Sequence, residues 1–429
     1  SNGGTIPVDR ARKEPVHTIL SGPAGGVVGA LTWARLSGHD HVMSFDMGGT
    51  STDVSLCPGR PLRTREFEIA GQPTAIPVID IHTVGAGGGS LARLDAGGAL
   101  RVGPQSAGAQ PGPICYGRGG SGVTVTDAHV WLGRLPADAF LGGDDALDRE
   151  SIRSPLEAMA LRLGKNADDA AEGILAVADT AMERALRVIS VERGYDPADF
   201  AIVAFGGAGG LHVAELTRRL RAFKAIVPPD PGLLSAYGML ASPMSRETSR
   251  TVLLSADVDD AQASLDATLA ELESQARSEM LDEGASKEDL TAELWVDARY
   301  AGQSFELRVP ASNWIQRFHD AHEERYGHRR ETAPVEAVTL RAIVTAPPPP
   351  LRVTRLREAH GPVQGTSMQV AFAGARIEAS RIWRSDLAAG HEFVGPFVVQ
   401  EYSGTTWVPP GWQVAVDEWG CLHLTPPFE

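Results

Sequence analysis

Apolar residues in the first half of the chain form short runs. These runs occupy residues 42–45, 76–81, 201–205 and 225–227. Runs of this length are typical of strands that are buried on both faces. Residues 53–56 follow the first run, and Pro58-Gly59 predicts a turn into residues 62–65 and therefore a hairpin.

Helical periodicity alternates with these strands. In residues 170–191 five apolar side chains fall on one helix face: Leu175, Ala178, Met182, Leu186 and Ile189. Arg193-Gly194 ends this pattern, and residues 211–220 predict a further helix. Because strands and long buried helices alternate, we expect an α/β domain over residues 1–245.

The second half of the chain, residues 246–429, differs in charge and in pattern. Residues 257–297 hold 13 acidic and two basic residues, with four apolar residues at helical spacing: Leu265, Leu269, Leu272 and Ala276. We expect an amphipathic helix whose acidic face is solvated rather than used for docking. The proline run at 347–350 predicts a stiff linker, and the apolar stretches after it predict a β-rich end to a smaller α+β domain.

Composition excludes several classes of protein. A formal net charge of −15 is poorly suited to binding nucleic acid or an anionic membrane. No apolar run reaches the roughly 18–20 residues that span a bilayer. The three cysteines lie far apart, which argues against a disulfide framework and a structural zinc site, so we expect a cytoplasmic protein. Because the chain begins at Ser1 and has no leader, we also expect a segment of a longer protein.

The first glycine motif, residues 45–53, reads Phe-Asp-Met-Gly-Gly-Thr-Ser-Thr-Asp. A strand delivers the carboxylate of Asp46, and two glycines then let backbone N–H groups approach an anion. At the end of the strand, Asp46 is placed to hold Mg²⁺ or to orient a water molecule. A tight hairpin without a ligand has the same sequence pattern, and spacing alone does not separate the two interpretations.

The second motif, residues 204–212, follows a predicted strand and opens a predicted helix. A helix N-terminus that faces a glycine-lined gap suits a nucleotide, although the spacing differs from the GxGxxG dinucleotide fingerprint. Close packing of the helix on the strand is the alternative. We expect His212, in the first helical turn, to be a polar surface or capping residue rather than a catalyst.

A third motif, residues 80–90, ends a predicted strand in Asp80-Ile81-His82 and continues into five residues that contain four glycines. Asp80 and His82 point to the same side of an extended chain. His82 is a candidate general base or metal ligand, and a structural Asp–His pair is the alternative. Residues 85–122 contain 13 glycines, which predicts a long irregular loop system. For Asp127 we favour a helix N-cap over catalysis.

A fourth segment, residues 21–30, places small residues on one helix face, so that another helix can pack closely or slide there. The order of the segments is more specific than any one of them: a small-residue helix, an Asp-x-Gly-Gly-Thr hairpin, a strand–Gly-Gly-x-Gly-Gly–helix and residues 231–238. This order resembles that of the connect-1, phosphate-2, adenosine and connect-2 motifs in the superfamily of sugar kinases, actin and chaperone ATPases.

Longer stretches over nearly the whole chain resemble the hydantoinase A/5-oxoprolinase family. The matching stretches are SNGG (1–4), LSGPAGGVVGA (20–30), FDMGGTSTDVSL (45–56), DIHTVGAGGGS (80–90), GAQPGPICYGRGG (108–120), VERGYDPADFAIVAFGGAGGLH (191–212), RYAGQSFEL (299–307), HEERYGH (322–328) and EYSGTTWVPPGW (401–412). The resemblance implies an actin-like ATPase domain with a ribonuclease-H-like fold over residues 1–245, followed by the C-terminal α+β domain over 246–429. It also implies ATP and Mg²⁺ as cofactors and a hydantoinase B-type subunit as partner.

Members of that family open cyclic amides such as 5-oxoproline and hydantoins, or carboxylate ketones such as acetone, at the expense of ATP. The motifs do not separate these two reactions. The family's first phosphate hairpin, which lies near the protein's start, is absent here. A third interpretation is therefore an N-terminally truncated, non-catalytic partner of a B subunit.

The chemistry of the motifs and their order in the chain predict roles for individual residues, with Asp80 and His82 placed on the acceptor side. Candidate catalytic residues are Asp46, Asp80 and His82, and Asp46 is also the candidate metal ligand. Candidate phosphate contacts are Gly48, Gly49, Thr50 and Thr52. Candidate nucleoside contacts are Gly206, Gly207, Gly209 and Gly210. Because Gly87, Gly88 and Gly89 lie between the two nucleotide motifs in the chain, they are candidates for the substrate side.

Overall fold

The computed structural model describes residues 3–6, 8–13, 15–64, 67–69, 72–74, 78–138, 142, 146–348 and 353–427. Within them the helices are α1 Val8–Lys13, α2 Ser21–Leu36, α3 Val125–Leu132, α4 Arg149–Leu163, α5 Ala167–Ile189, α6 Gly209–Leu220, α7 Leu234–Leu240, α8 Ala261–Asp282 and α9 Trp314–Tyr326. The strands are β1 His41–Met47, β2 Thr52–Pro58, β3 Arg63–Thr64, β4 Phe67–Ile69, β5 Gln72–Thr74, β6 Val78–Ile79, β7 His82–Val84, β8 Ser90–Leu94, β9 Leu100–Ser106, β10 Ala201–Phe205, β11 Lys224–Val227, β12 Met244–Ser255, β13 Thr291–Tyr300, β14 Leu307–Pro310, β15 Val335–Ala346, β16 Thr366–Phe372, β17 Ala375–Trp383, β18 Glu392–Val394, β19 Phe397–Gln400, β20 Thr405–Val408, β21 Gln413–Val416 and β22 Leu422–Thr425.

The chain forms two compact units. The first comprises Ser1–Gly3, His17–Ala241 and Leu351–Glu429, and the second comprises Gly4–Val16 and Ser242–Pro350. This division differs from the predicted domains 1–245 and 246–429, because the residues after 350 belong to the first unit. The physical reason is strand pairing: β22 pairs with β11, and a local sequence pattern does not show which sheet a strand joins.

An eight-stranded sheet forms the centre of the first unit, in the order β18-β21-β22-β11-β10-β1-β2-β7. Strands β1, β10 and β11 are parallel neighbours. Met43 and Phe45 pack into the core that contains α5, whereas Val42 and Phe205 pack into the core that contains α2. Because both faces of the sheet are buried, its central strands appear in the sequence as continuous apolar runs.

Most of the predicted elements are confirmed. The helix predicted at 170–191 is α5, and the five apolar residues of its predicted face are all buried. The helix predicted at 211–220 is α6, and the runs at 201–205 and 225–227 are β10 and β11. The hairpin predicted between 53–56 and 62–65 is wrong, because β3 pairs with β6 and the hairpin partner of β2 is β1. Residue 65 of the predicted hairpin and residues 76–77 of the predicted strand at 76–81 lie outside the described residues.

The small-residue segment 21–30 lies in α2, where it packs closely on α7. A Cβ atom on Gly25 would lie 2.6 Å from the carbonyl oxygen of Ser235, and one on Gly29 would lie 2.6 Å from that of Leu234. Backbone therefore packs on backbone between the two helices, which confirms the predicted close helix packing.

The second unit contains a four-stranded antiparallel sheet, in the order β12-β15-β13-β14, together with α8 and α9. Residues Leu265, Leu269, Leu272 and Ala276 of α8 are buried, which confirms the predicted amphipathic helix.

The predicted β-rich end is also confirmed, because β16 to β22 follow residue 350. Across the described ranges, no helix has both the length and the hydropathy needed to span a bilayer.

Candidate functional site

Three glycine-rich segments meet at one edge of the central sheet. Because β1 and β10 are parallel and Asp46 pairs with Phe205 in their register, the segments that follow the two strands are neighbours in space. The backbone N–H of Ala208 donates to the carbonyl oxygen of Met47 at 3.1 Å. The first and second glycine motifs are therefore brought together.

The third glycine motif supports the first. The N–H groups of Gly88 and Gly89 donate to the carbonyl oxygens of Gly48 and Gly49, at 3.0 and 2.6 Å. A Cβ atom on Gly87 would lie 2.7 Å from backbone atoms of Thr50. Glycine at 87–89 therefore allows this segment to pack directly on the hairpin between β1 and β2.

A cleft of about 190 Å³ opens between these segments. Its lining residues are Gly48, Gly49, Gly88, Tyr116, Thr126, Leu135, Gly207, Ala208, Leu211, Glu401, Tyr402, Ser403, Gly404 and Thr405. Four of the residues singled out in the sequence are among them, one or two from each glycine motif. The cleft thus joins Gly48 and Gly207, which are about 160 residues apart in the chain.

The glycines of the site differ in the space around them. At Gly49 a Cβ atom would meet nothing within 4 Å, and at Gly207 its nearest neighbour would be the carbonyl oxygen of Ser403 at 3.6 Å. A Cβ atom on Gly210, by contrast, would lie 2.5 Å from the hydroxyl oxygen of Thr406. Gly49 and Gly207 therefore leave room in the cleft, whereas Gly210 allows α6 to pack on β20. Gly209 also lies at the start of α6, outside the cleft lining.

The carboxylate of Asp46 is electrostatically perturbed. Burial, and then the neighbouring charge of Asp53, raise its pKa from 3.8 to about 6. The two carboxylates are directly opposite on β1 and β2 and therefore share a face of the sheet. A Cβ atom on Gly206 would lie 2.5 Å from Oδ1 of Asp46, and the φ of +75° at residue 206 favours glycine as well.

A magnesium ion fits this pair of carboxylates in chemical terms. Mg²⁺ is usually held by one or two carboxylates together with water and substrate phosphates, rather than by an all-protein cage. Within the described residues no group of three or more His, Cys, Asp or Glu side chains could hold a metal ion. Asp46 and Asp53 are therefore the candidate ligands, and the predicted role of Asp46 stays a prediction.

The two threonines of the first motif lie outside the cleft lining. Thr50 is exposed on the hairpin. Thr52 is fully buried, and its hydroxyl donates to the carbonyl oxygen of Ala86 at 2.6 Å. The hydroxyl of Thr52 therefore stabilises the contact between the hairpin and the third glycine motif.

Asp80 and His82 are also absent from the cleft lining. Asp80 forms an ion pair with Arg193, and its carbonyl oxygen accepts a hydrogen bond from Ser55 at 2.8 Å. His82 lies opposite Val54 in the register of β2 and β7. Because β2 leads away from the hairpin between β1 and β2, the structure does not bring these two residues to the glycine-lined cleft.

Asp127 has the structural role favoured by the sequence, although it is not the N-cap itself. Thr124 is the N-cap of α3, and Asp127 completes a capping box with it. The buried carboxylate also accepts hydrogen bonds from the backbone N–H groups of Ile114 and Cys115, at 3.2 and 2.9 Å. These contacts fix the start of α3, whose Thr126 lines the cleft.

The prediction for His212 is wrong, because this side chain is buried rather than at the surface. Its Nδ1 lies 2.6 Å from Oδ1 of Asp179, and its Nε2 lies 3.0 Å from Nε2 of His129. Burial, and then His212, lower the pKa of His129 well below the usual value, so His129 is neutral. The three residues connect α5, α6 and α3.

The segment 401–405, which follows β19 and leads into β20, lines the cleft. The sequence analysis included it in a stretch that resembles the family but assigned it no role in the site. The carboxylate of Glu401 accepts a hydrogen bond from the N–H of Asp230 at 2.9 Å and lies 3.5 Å from Arg384. Burial is the largest influence on the pKa of Glu401 and raises it. The run Glu-Tyr-Ser-Gly-Thr-Thr between two apolar stretches was the available signal, because polar residues with a glycine often mark a functional loop.

These features define an α/β protein with a glycine-lined cleft at the carboxyl edge of its parallel strands. The profile of the hydantoinase/oxoprolinase family matches residues 1–248, and that of the hydantoinase/oxoprolinase C-terminal domain matches residues 254–426. The chain belongs to this family. The boundary between the two profiles, at residues 248–254, lies near the predicted domain boundary at 245. The two compact units divide the chain differently, because residues 351–429 belong to the first unit.

Among its relatives is the caprolactamase subunit alpha of Pseudomonas jessenii, which is 34% identical over an alignment of 447 residues. The alignment covers 99% of this chain and 64% of the relative. The crystal structure of the ATP-dependent caprolactamase from that organism is similar with a TM-score of 0.80 at 32% identity, over 95% of this chain and 62% of that one. A nucleotide-free structure of acetone carboxylase, from work on ATP-dependent acetone carboxylation, is similar with a TM-score of 0.82 at 28% identity, over 99% of this chain and 63% of that one. The chain thus spans less than two thirds of these relatives.

Proposed function

We propose that this chain binds ATP with Mg²⁺ in the glycine-lined cleft and supplies the ATP-using part of an enzyme that opens cyclic amides. The observation that carries the proposal is the cleft shared by Gly48, Gly49 and Gly207. Membership of the hydantoinase/oxoprolinase family and similarity to an ATP-dependent caprolactamase support it.

An actin-like, ribonuclease-H-like fold for the first unit is part of this proposal. The strand order β7-β2-β1-β10-β11 supports it. In this group only β2 runs antiparallel to the others, as expected when a hairpin precedes a parallel crossover. The carboxyl ends of β1 and β10 then carry the segments that contact the nucleotide.

We assign the phosphates to the hairpin side of the cleft. The N–H of Gly48 already donates to the carbonyl oxygen of Ser51 at 3.1 Å, so the hairpin donor that we assign to the phosphates is the N–H of Gly49, which lines the cleft. Asp46 holds Mg²⁺, directly or through water. The bound ion would neutralise phosphate charge.

Four further residues of the cleft lining suit the nucleoside. Tyr116, Leu135, Leu211 and Tyr402 present aromatic and apolar surface to it. A base and a ribose need such surface, together with a backbone that can be approached closely, which Gly207 supplies. Of the predicted nucleoside contacts, Gly207 is therefore the one that we retain. Of the substrate-side candidates we retain Gly88, which lines the cleft.

The chemistry explains why ATP is required. An unstrained cyclic amide is a poor electrophile with a poor leaving group. In the proposed reaction the amide oxygen forms a bond to the γ-phosphorus while the bond from that phosphorus to ADP breaks. Water then adds to the amide carbon, and the C–N bond breaks as the amine leaves with a proton, which gives an acyl phosphate. A second water hydrolyses the acyl phosphate to the carboxylic acid and inorganic phosphate. The task of this chain is to position the phosphates and to neutralise charge.

A B-type subunit is the proposed partner, since the relative with 34% identity is one subunit of a caprolactamase. ATP-dependent ketone carboxylation is the second candidate function. The TM-score of 0.82 to acetone carboxylase favours it. A non-catalytic role for the chain is the third candidate. A chain that does not bind nucleotide would distinguish this role from the two catalytic candidates.

Two measurements test the proposal. Calorimetric titration of the chain with ATP should show saturable binding that requires Mg²⁺ and that is at least about tenfold weaker in Asp46→Asn, which corresponds to about 1.4 kcal/mol. Phosphate release should then be measured after a B-type subunit is added, with ε-caprolactam, 5-oxoproline, hydantoin, or acetone plus bicarbonate. Stimulation by a cyclic amide supports the first candidate, and stimulation by acetone plus bicarbonate supports the second. A chain that binds no nucleotide but still binds the B-type subunit contradicts both.

A further inference from the structure

The described lining of the glycine-lined cleft contains no lysine or arginine, and its one charged side chain is that of Glu401. Asp46 and Asp53 add two more carboxylates next to the hairpin between β1 and β2. A nucleotide triphosphate carries several negative charges, and a bound Mg²⁺ ion offsets only part of them. The proposed nucleotide site therefore needs a cation from a residue next to the lining.

Two arginines next to lining residues already serve other partners. Arg134, which precedes Leu135, is buried and forms an ion pair with Glu172 at 3.2 Å. Arg384 lies 3.5 Å from Glu401 and donates to two backbone carbonyl oxygens at 2.7 Å each. Moving either guanidinium to a nucleotide would leave buried acceptors without a donor, which is costly.

Arg118 also lies next to the lining, and its side chain is exposed. Its guanidinium carbon is 5.6 Å from the ring centroid of Tyr116, which lines the cleft. A cation at this distance is attracted to the face of the ring. The planar guanidinium also presents several N–H donors in a fork that matches the oxygens of a phosphate group. Arg118 thus has both the position and the chemistry to meet an anion in the cleft.

Backbone hydrogen bonds connect the ring of Tyr116 to the hairpin residue that carries the assigned phosphate donor, Gly49. The N–H of Gly89 donates to the carbonyl oxygen of Gly49 at 2.6 Å, and the N–H of Ala107 donates to that of Gly89 at 2.8 Å. The N–H of Gly112 in turn donates to the carbonyl oxygen of Ala107 at 3.2 Å. A Cβ atom on Gly112 would lie 3.0 Å from the ring of Tyr116. The cation over this ring is therefore attached to the same hydrogen-bonded segments as the hairpin.

The turn that precedes this cation is fixed from below by a buried carboxylate. Ile114–Tyr116 form a 3-10 turn, and the N–H groups of Ile114 and Cys115 donate to Asp127. Gly117 ends the turn with a φ of +66°, directly before Arg118. Because the turn is already ordered, less conformational entropy is lost when the cation at its end binds an anion.

We infer that Arg118 is a further phosphate-binding residue of the cleft, an inference that rests on the proposed binding of ATP. The guanidinium donates hydrogen bonds to phosphate oxygens of the bound nucleotide, and the ring of Tyr116 packs between the cation and the apolar part of the cleft. Arg118 thereby supplies the positive charge that the described lining lacks. The contact is electrostatic, and no covalent bond changes in it.

Calorimetric titrations of the whole chain with ATP and with adenosine, both in the presence of Mg²⁺, test this contact. Arg118→Gln removes the charge, so we expect at least about tenfold weaker binding of ATP and less than about twofold weaker binding of adenosine. Arg118→Lys keeps the charge without the fork and should recover part of the loss. Unchanged ATP affinity in Arg118→Gln overturns the inference, as do equal losses for ATP and adenosine.

Arg101→Gln is the matched control. Arg101 is also exposed, but it lies near the start of β9 in an ion pair with Asp95 at 2.9 Å, whereas the end of β9 leads to Ala107. This variant should bind ATP like the wild type. If it loses as much ATP affinity as Arg118→Gln, the effect is one of overall charge and the specific contact is overturned.

Salt dependence provides a readout that needs no adenosine. Because Arg118 is exposed, its attraction for phosphate is screened by salt. Between about 50 and about 200 mM NaCl the wild type should lose more ATP affinity than Arg118→Gln, and equal losses contradict the inference. A wild-type chain that binds no ATP refutes the proposed function and this inference with it. ATP binding that Arg118→Gln leaves unchanged refutes the inference alone.

Discussion

The ionised carboxylate of Asp46 lowers the stability of the folded protein, and the same carboxylate is the proposed Mg²⁺ ligand. Its carboxylate is half-buried opposite Asp53, and its pKa is raised to about 6 by burial and by that neighbour. In the native protein it therefore binds a proton more tightly than in the unfolded chain. A cation would reverse this balance, since it favours the ionised form.

The consequence is a pH-dependent effect of Asp46→Asn on stability. Between pH 3.8 and about 6 the native state binds more protons than the unfolded state, so the stability contributed by this group falls as the pH rises through that window. Without Mg²⁺, Asp46→Asn should therefore raise the free energy of unfolding at pH 8, by up to roughly 3 kcal/mol, and have little effect at pH 4. Urea unfolding at the two pH values measures this. A variant less stable than the wild type at pH 8 would contradict the assigned cause.

Gly207 allows the cleft to be blocked without disturbing the fold. A Cβ atom there would meet only the carbonyl oxygen of Ser403, at 3.6 Å, and then open space. We expect Gly207→Val to keep the thermal midpoint of the wild type but to lower the affinity for ATP at least about tenfold, because the side chain occupies the cleft. The matched control is Gly22→Val. Gly22 lies outside the cleft lining, and a Cβ atom there would meet nothing within 4 Å. Equal ATP affinity in both variants would remove Gly207 from the nucleotide site.

At the scale of elements, the contact between α2 and α7 depends on glycine. A Cβ atom on Gly238 would overlap the carbonyl oxygen of Gly25 and lie 2.5 Å from the backbone nitrogen of Gly29. Helices that meet at the backbone cannot accept a methyl group without moving apart. We expect Gly238→Ala to lower the free energy of unfolding by at least about 2 kcal/mol.

Gly173 in α5 is the control for that substitution. Its Cβ atom would lie 3.5 Å from Leu100, which is ordinary van der Waals contact. Alanine has the higher helix propensity, so Gly173→Ala should be neutral or stabilise the protein by up to about 1 kcal/mol. Chemical denaturation of both variants provides the measurement. Similar effects of the two substitutions would mean that α2 and α7 do not touch at Gly238.

The buried chain Asp179–His212–His129 connects three further elements, α5, α6 and α3. Replacing His212 by Ala leaves the buried carboxylate of Asp179 without its partner, which should cost about 3 kcal/mol of stability. His41, which is exposed, is the control, and His41→Ala should change stability by less than about 0.5 kcal/mol. A double-mutant cycle with Asp179→Asn then isolates the coupling, and additive effects of the two substitutions would contradict it.

At the scale of the whole molecule, the central sheet is completed by residues distant in the chain. Leu422 and Leu424 of β22 are fully buried next to β11. A chain shortened to residues 1–245 would expose this edge and lose strands β18, β21 and β22 from the sheet. We expect such a chain to lack the cooperative thermal transition of the complete chain, measured by near-ultraviolet circular dichroism. A cooperative transition in the shortened chain would show that residues 1–245 fold independently.

The sequence predicted part of the site and missed part of it, for physical reasons. Glycines at the ends of predicted strands indicated the cleft, because only glycine lets a ligand approach the backbone closely at Gly49 and Gly207. The same reasoning could not separate them from Gly210, where the missing side chain makes room for Thr406 instead. The spacing of glycines indicates that a side chain is excluded at a position. It does not indicate whether a ligand or a neighbouring residue occupies that space.

By itself the sequence determined part of the local structure of this protein: helices α2, α5, α6 and α8, strands β1, β2, β10 and β11, the buried faces of α5 and α8, and the order of its glycine motifs. Periodicity encodes these features, because each residue's burial depends on the position of its neighbours in the chain. Only the tertiary structure decided that β22 joins β11, that His212 is buried against Asp179, and that residues 401–405 line the cleft. These contacts join residues far apart in the chain, and their partners are selected by packing and hydrogen bonding in the folded state rather than by any local pattern.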